Sequence, residues 1–90
     1  MAREGMDVGL VTSDGTRMKS IGETAIPQVI SSVNGIVSNM QSEWQGNDAN
    51  AFVQMWESTD RPNLTTIAQE IAQFGQLALT NAQEQTSASS

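Results

Sequence analysis

Near neutral pH the only acid–base groups this chain brings in number are ten carboxylates, because its 90 residues include no His, no Cys and no Tyr. Catalysis needs groups whose pKa can be tuned and which converge in one pocket. The ten Asp and Glu are spread along the chain with no close pair standing out. Asp48, Glu57 and Asp60 flank the middle of the chain, where acids suit helix caps and the helix dipole. Without Cys there are no disulfides and no thiolate sites. Without His, zinc and histidine-based proton transfer lose their usual residue. The chain is therefore expected to have no catalytic residue, no metal site and no cofactor. The remaining chemistry is recognition by apolar and aromatic side chains, and Trp44, Phe52 and Trp56 are the residues to watch.

Something must position those aromatics. A chain this short buries only about 60–65% of its unfolded surface and is marginal as a monomer. Oligomerisation is the remedy left once disulfides and metals are excluded. A net charge of −6 and only four Lys and Arg argue against a nucleic-acid partner, which wants a basic patch. The same charge argues against an anionic membrane surface. No window approaches 18 apolar residues, so no membrane insertion is expected. The segment MAREGMDVGLV has charges of both signs and no apolar core, unlike a Sec signal peptide.

Residues 1–11 show no clear period and are expected to form a flexible N-terminal arm. Thr12 or Ser13 is a good helix N-cap. Apolar residues then recur at steps of three and four through Val29, Val33, Ile36, Val37 and Met40, the stripe of an amphipathic helix. Pro27 interrupts it and predicts a kink, or a break with the main helix starting near Ile26. Gly22 and Gly35 each weaken a helix by roughly 1 kcal/mol against Ala; a close helix approach at Gly35 would compensate. The first helix should end near Glu43, with Gly46 taking a left-handed conformation that closes it. Asn47 or Asp48 would then cap a second helix. Its stripe includes Phe52, Trp56, Ile67, Ile71 and Phe74. STDRPN, around Pro62, predicts a kink or a brief re-capping. Residues 85–90 read as a disordered tail.

The expectation is an all-α chain: a helix-turn-helix hairpin over residues 12–84, its turn at about 44–48, with helices near 45 Å long at 1.5 Å per residue. Trp44 would cover the open end of the helix pair at the turn. Phe52 and Trp56 form a core aromatic pair, and Trp56 should pack near Val37 and Met40. The apolar stripe is wider than one antiparallel neighbour needs. The surplus predicts a second hairpin, and two hairpins make a four-helix bundle.

With Trp44-Gln45-Gly46 near the midpoint, a small polar start to the second helix at Asn47 to Ala51, and Phe52 after it, the chain resembles the WXG-motif superfamily. These are the early-secreted-antigen-like (Esx-like) proteins exported by type VII secretion systems. The resemblance covers roughly residues 12–84. It implies a folded dimer, with itself or with a sister WXG protein, recognised by the secretion ATPase and exported from the cytoplasm without a Sec signal. The exported dimer would act by protein–protein contact as effector or adaptor, including in virulence. The chain departs from the family in one respect. Many members carry Tyr-x-x-x-Asp/Glu after the second helix as part of the export signal. Here the matching stretch, Thr80-Asn81-Ala82-Gln83-Glu84, keeps only the acid, so Glu84 is the remnant of a degenerate signal or a plain solvated acid. Two other roles fit a short acidic hairpin: a chaperone or targeting partner of a larger toxin, and a subunit of a secretion needle. Needle turns are usually Pro-rich and lack Trp-x-Gly.

Overall fold

The structure, a computed structural model, describes residues 6–44 and 46–89. It is an all-α hairpin. The first arm comprises α1 (Val8–Ser20), a π-helical turn (Ile21–Ala25) and α2 (Ile26–Glu43). The second comprises α3 (Asn47–Met55), a π-helical turn (Trp56–Asp60) and α4 (Arg61–Ser89). The arms pack side by side into a rod of 63 × 17 × 15 Å.

Both ends extend past the expected boundaries. The N-cap is Asp7, whose carboxylate accepts the Leu10 N–H at 3.1 Å. Thr12 and Ser13 therefore lie inside α1, and Val8–Val11 are helical. At the other end α4 runs through Ser89, and Gln85 within it is buried. Residues 1–5 of the expected arm and Ser90 lie outside the described residues.

Each proline follows a π turn, and neither breaks its arm. Pro27 has no N–H to offer the Glu23 carbonyl, and its ring crowds that group. Widening the turn that holds Glu23 relieves the clash: the Ile26 N–H bonds back to the Ile21 carbonyl, five residues away. Around Pro62 the same solution recurs, with the Arg61 N–H bonded to the Trp56 carbonyl. STDRPN is thus a π turn, without re-capping. The flanking residues Ala25, Ile26, Met55 and Arg61 all keep right-handed helical dihedrals.

A π turn inserts one extra residue into a helix, and the buried seam records it. Along the first arm the seam runs Gly15, Gly22, Ile30, Val37. The step is seven, then eight across the π turn, then seven again. The second arm runs Ala49, Val53, Trp56 and half-buried Leu64, with the same eight-residue step across its π turn, and then Ala68, Gly75, Ala82. The extra residue keeps each seam pointed at the other arm on both sides of its proline.

The two halves of the seam pack differently. Towards the turn, Ile30, Val37, Val53 and Trp56 form the core, with half-buried Ile26, Val33 and Leu64 against it. Trp56 Nε1–H donates to Asn34 Oδ1 at 2.6 Å across the arms. Towards the termini the backbones themselves meet. A Cβ on Gly75 would lie 2.7 Å from the Gly15 carbonyl oxygen and 2.7 Å from the Lys19 nitrogen. One on Gly22 would lie 2.6 Å from the Ala72 nitrogen. Only glycine allows arms this close. The close approach expected at Gly35 is absent: nothing lies within 4 Å of a Cβ there.

The turn differs from expectation as well. Trp44 ends α2 in an extended conformation, its N–H on the Met40 carbonyl at 2.8 Å. Gly46 has φ 174° and ψ 166°, an extended backbone that any residue adopts. It is not left-handed and does not close α2. It is the N-cap of α3, its carbonyl accepting the Asn50 N–H at 3.0 Å. Asn47 and Asp48 are consequently the first residues of α3 and do not cap it. Gln45 lies outside the described residues.

Candidate partner interface

The seam generates two unlike faces. In a helix, the residue before a seam position is rotated about 100° to one side of it, and the residue after it about 100° to the other. Antiparallel arms turn the preceding residues of both to the same broad face. The residues that follow a seam position are Thr16, Glu23, Ser31, Ser38, Asn50, Gln54, Glu57, Thr65, Gln69, Gln76 and Gln83, every one polar. Those that precede one include Ile21, Val29, Ile36, Phe52, Met55, Ile67 and Phe74, all large, apolar and exposed. The remaining preceding positions are Asp14 and Asn81 near the termini, Asp48 at the turn and Asn63 beside Leu64.

The sequence-derived packing residues divide accordingly. Val37 and Trp56 are buried between the arms, at 5% and 6% exposure, while Val33 and Ile71 are half-buried. Val29, Ile36, Met40, Phe52, Ile67 and Phe74 are exposed, Val29 at 60% and Phe74 at 59%. They do not hold the hairpin together; they form its apolar face. Trp56 packs among Ile30, Val37 and Val53 and not as a closed pair with Phe52, which is 51% exposed. The positions that the sequence reading missed are Gly15 and Gly75 in the seam and Asn34 as the Trp56 partner. The heptad Ala68–Gly75–Ala82 was the available signal for the seam.

Size points the same way. The hairpin exposes 6379 Å², against about 5,100 Å² for a compact protein of its mass. The excess, about 1,300 Å², exceeds the roughly 800 Å² that each partner gives to a standard interface. Among the described residues no large side chain is fully buried.

At the tip, Val37, Met40, Gln41, Trp44, Ala49, Phe52 and Val53 line a cleft of about 220 Å³. Trp44 is 51% exposed and forms one wall of this cleft. Glu84 is exposed on α4. Among the described residues no group of three or more His, Cys, Asp or Glu is placed to hold a metal ion. No described helix is long and apolar enough to cross a membrane.

Comparison with protein-family models, with curated proteins and with solved structures finds no match to this chain.

Proposed function

We propose that this chain is an Esx-like type VII secretion substrate that pairs through its apolar face into a four-helix bundle and acts by protein–protein contact, without chemistry. One observation carries the pairing: seven seam positions are each preceded by a large apolar residue that the single hairpin leaves in water. Monomeric proteins rarely expose so continuous an apolar surface. A second copy offers the same face, so a two-fold pairing satisfies both hairpins at once. The secretion reading rests on Trp44 and Gly46 at the tip of a hairpin. In that reading the dimer is recognised by the secretion ATPase, and Glu84 belongs to a signal that a partner completes.

Light scattering with circular dichroism on the purified chain tests the pairing. A helical species near twice 9.6 kDa is the expected result, and Ile36→Glu with Phe74→Glu should reduce it to a monomer. A helical monomer in the wild type overturns self-pairing and leaves the face to a sister hairpin or to the helices of a larger toxin, which coexpression with neighbouring genes would reveal. Export is tested separately, by deleting the type VII ATPase in the producing cell; unchanged release of the chain refutes the secretion reading.

A further inference from the structure

The tip of the hairpin combines two properties that the rest of the rod does not share. The first is the apolar cleft. Its floor is seam residues Val37 and Val53, and its walls include Trp44, Met40 and Phe52. Trp44 is held there by its backbone, through the N–H bond to Met40, while half of its surface faces solvent. A large aromatic fixed in place and left in water is the usual make-up of a binding hot spot.

The second property is charge. Between Lys19 and Arg61 there is no cation at all, while Glu23, Glu43, Asp48, Glu57 and Asp60 all fall in that interval. All four Lys and Arg of the chain lie outside it, together with the other five acids. On the turn side of the Gly22–Ala72 contact, the acids Glu23, Glu43, Asp48, Glu57, Asp60 and Glu70 meet one cation, Arg61, so that part carries −5 of the total −6 and the remainder −1. Glu43 and Asp48 directly precede Trp44 and Ala49, two of the cleft's lining residues, and both acids are exposed.

We infer that this tip is a docking site for a basic, amphipathic segment of a partner protein, which places one large apolar side chain in the cleft and Lys or Arg beside Glu43 and Asp48. The cleft is smaller than the roughly 300–1,000 Å³ of small-molecule sites, so it suits a single side chain. Unbalanced acids around it select a cationic segment and speed its encounter. The same acids repel an anionic lipid surface. The cleft is built entirely within one hairpin, but its walls Met40 and Phe52 also belong to the apolar face, so pairing through that face competes with docking.

The test uses the full chain and three labelled helical peptides of equal length: one of Leu and Lys, one of Leu and Glu, one of Lys and Ser. Fluorescence anisotropy reads the binding, and light scattering on the same samples reads the oligomeric state, which keeps a failure of pairing separate from a failure of docking. The Leu/Lys peptide should bind and the other two should not. Trp44→Ala should weaken it at least about ten-fold, a loss of about 1.4 kcal/mol. Glu43→Lys with Asp48→Lys should do the same. Asp14→Lys with Glu70→Lys, an equal change in net charge made away from the cleft, should leave the affinity within about two-fold. Equal weakening by the two charge pairs would mean general attraction to an acidic rod and would overturn the site. So would equal binding of the Leu/Glu peptide, or no binding of any. Zwitterionic phosphatidylcholine vesicles that blue-shift the tryptophan emission, and lose that shift in Trp44→Ala, would assign the cleft to lipid instead and overturn the proposal.

Discussion

Replacing Gly22 by Ala isolates the backbone-to-backbone part of the seam, because two effects of opposite sign meet there. Helix propensity alone favours the substitution by about 1 kcal/mol. Packing opposes it. The added Cβ would sit 2.6 Å from the Ala72 nitrogen and 2.9 Å from the Ala72 Cβ, and it also collides with the Ala68 carbonyl oxygen. Two of these neighbours are backbone atoms of α4 and cannot rotate away, so the arms must separate. Overpacking of this kind costs about 1–3 kcal/mol, and rigid neighbours put it at about 3. The net loss is then about 2 kcal/mol, or about 8–16 °C in melting temperature for a domain of this size. Gly35 is the control. A Cβ there meets nothing within 4 Å, so Gly35→Ala keeps only the propensity gain and should raise the melting temperature by about 4–8 °C. Both variants and the wild type are melted by circular dichroism at one protein concentration, since association shifts apparent stability. A Gly22→Ala protein that melts at or above the wild type would refute the close approach of α1 and α4. Equal shifts at the two glycines would refute it too.

Three further outcomes follow from the geometry. Asn34→Ala leaves the Trp56 indole N–H without its 2.6 Å acceptor and should cost about 1–3 kcal/mol in urea unfolding followed by tryptophan fluorescence; an unchanged midpoint would mean that water serves equally well. Gly46→Ala should shift the melting temperature by no more than a few degrees, because φ is extended and a Cβ meets only Trp44 Nε1 at 3.9 Å; the roughly 1–2 kcal/mol penalty of a left-handed residue would instead restore the left-handed turn. Asp7→Ala should cost about 1 kcal/mol through the lost cap, read as faster hydrogen exchange at the Leu10 amide; unchanged exchange would show that the cap does not hold the start of α1.

The helical hairpin was legible because its cause is local. Apolar steps of three and four around Val29, Val33, Ile36 and Val37, resumed at Ile67, Ile71 and Phe74, specify amphipathic helices, and the polar run after Trp44 marks the reversal. Composition alone set the charge and removed His and Cys. Which side of each stripe faces inward was not legible. Ile36 and Val37 are neighbours of like hydrophobicity, and only contact with the second arm separates the exposed one from the buried one. The role of each glycine was equally hidden, because propensity treats Gly22 and Gly35 alike while the distance to the other arm makes one indispensable and the other idle. Propensity marked Pro27 and Pro62 as disruptions; packing turned each into a π turn, since only one inserted residue both clears the ring and returns the seam to its partner. Gly46 was assigned from residue type, and the chain path through Trp44 gave it an extended conformation instead. Local pattern determined the elements and their polarity; the separation and rotation of the arms, which depend on atoms far apart in the chain, determined which apolar residues are core and which remain as a surface for another molecule.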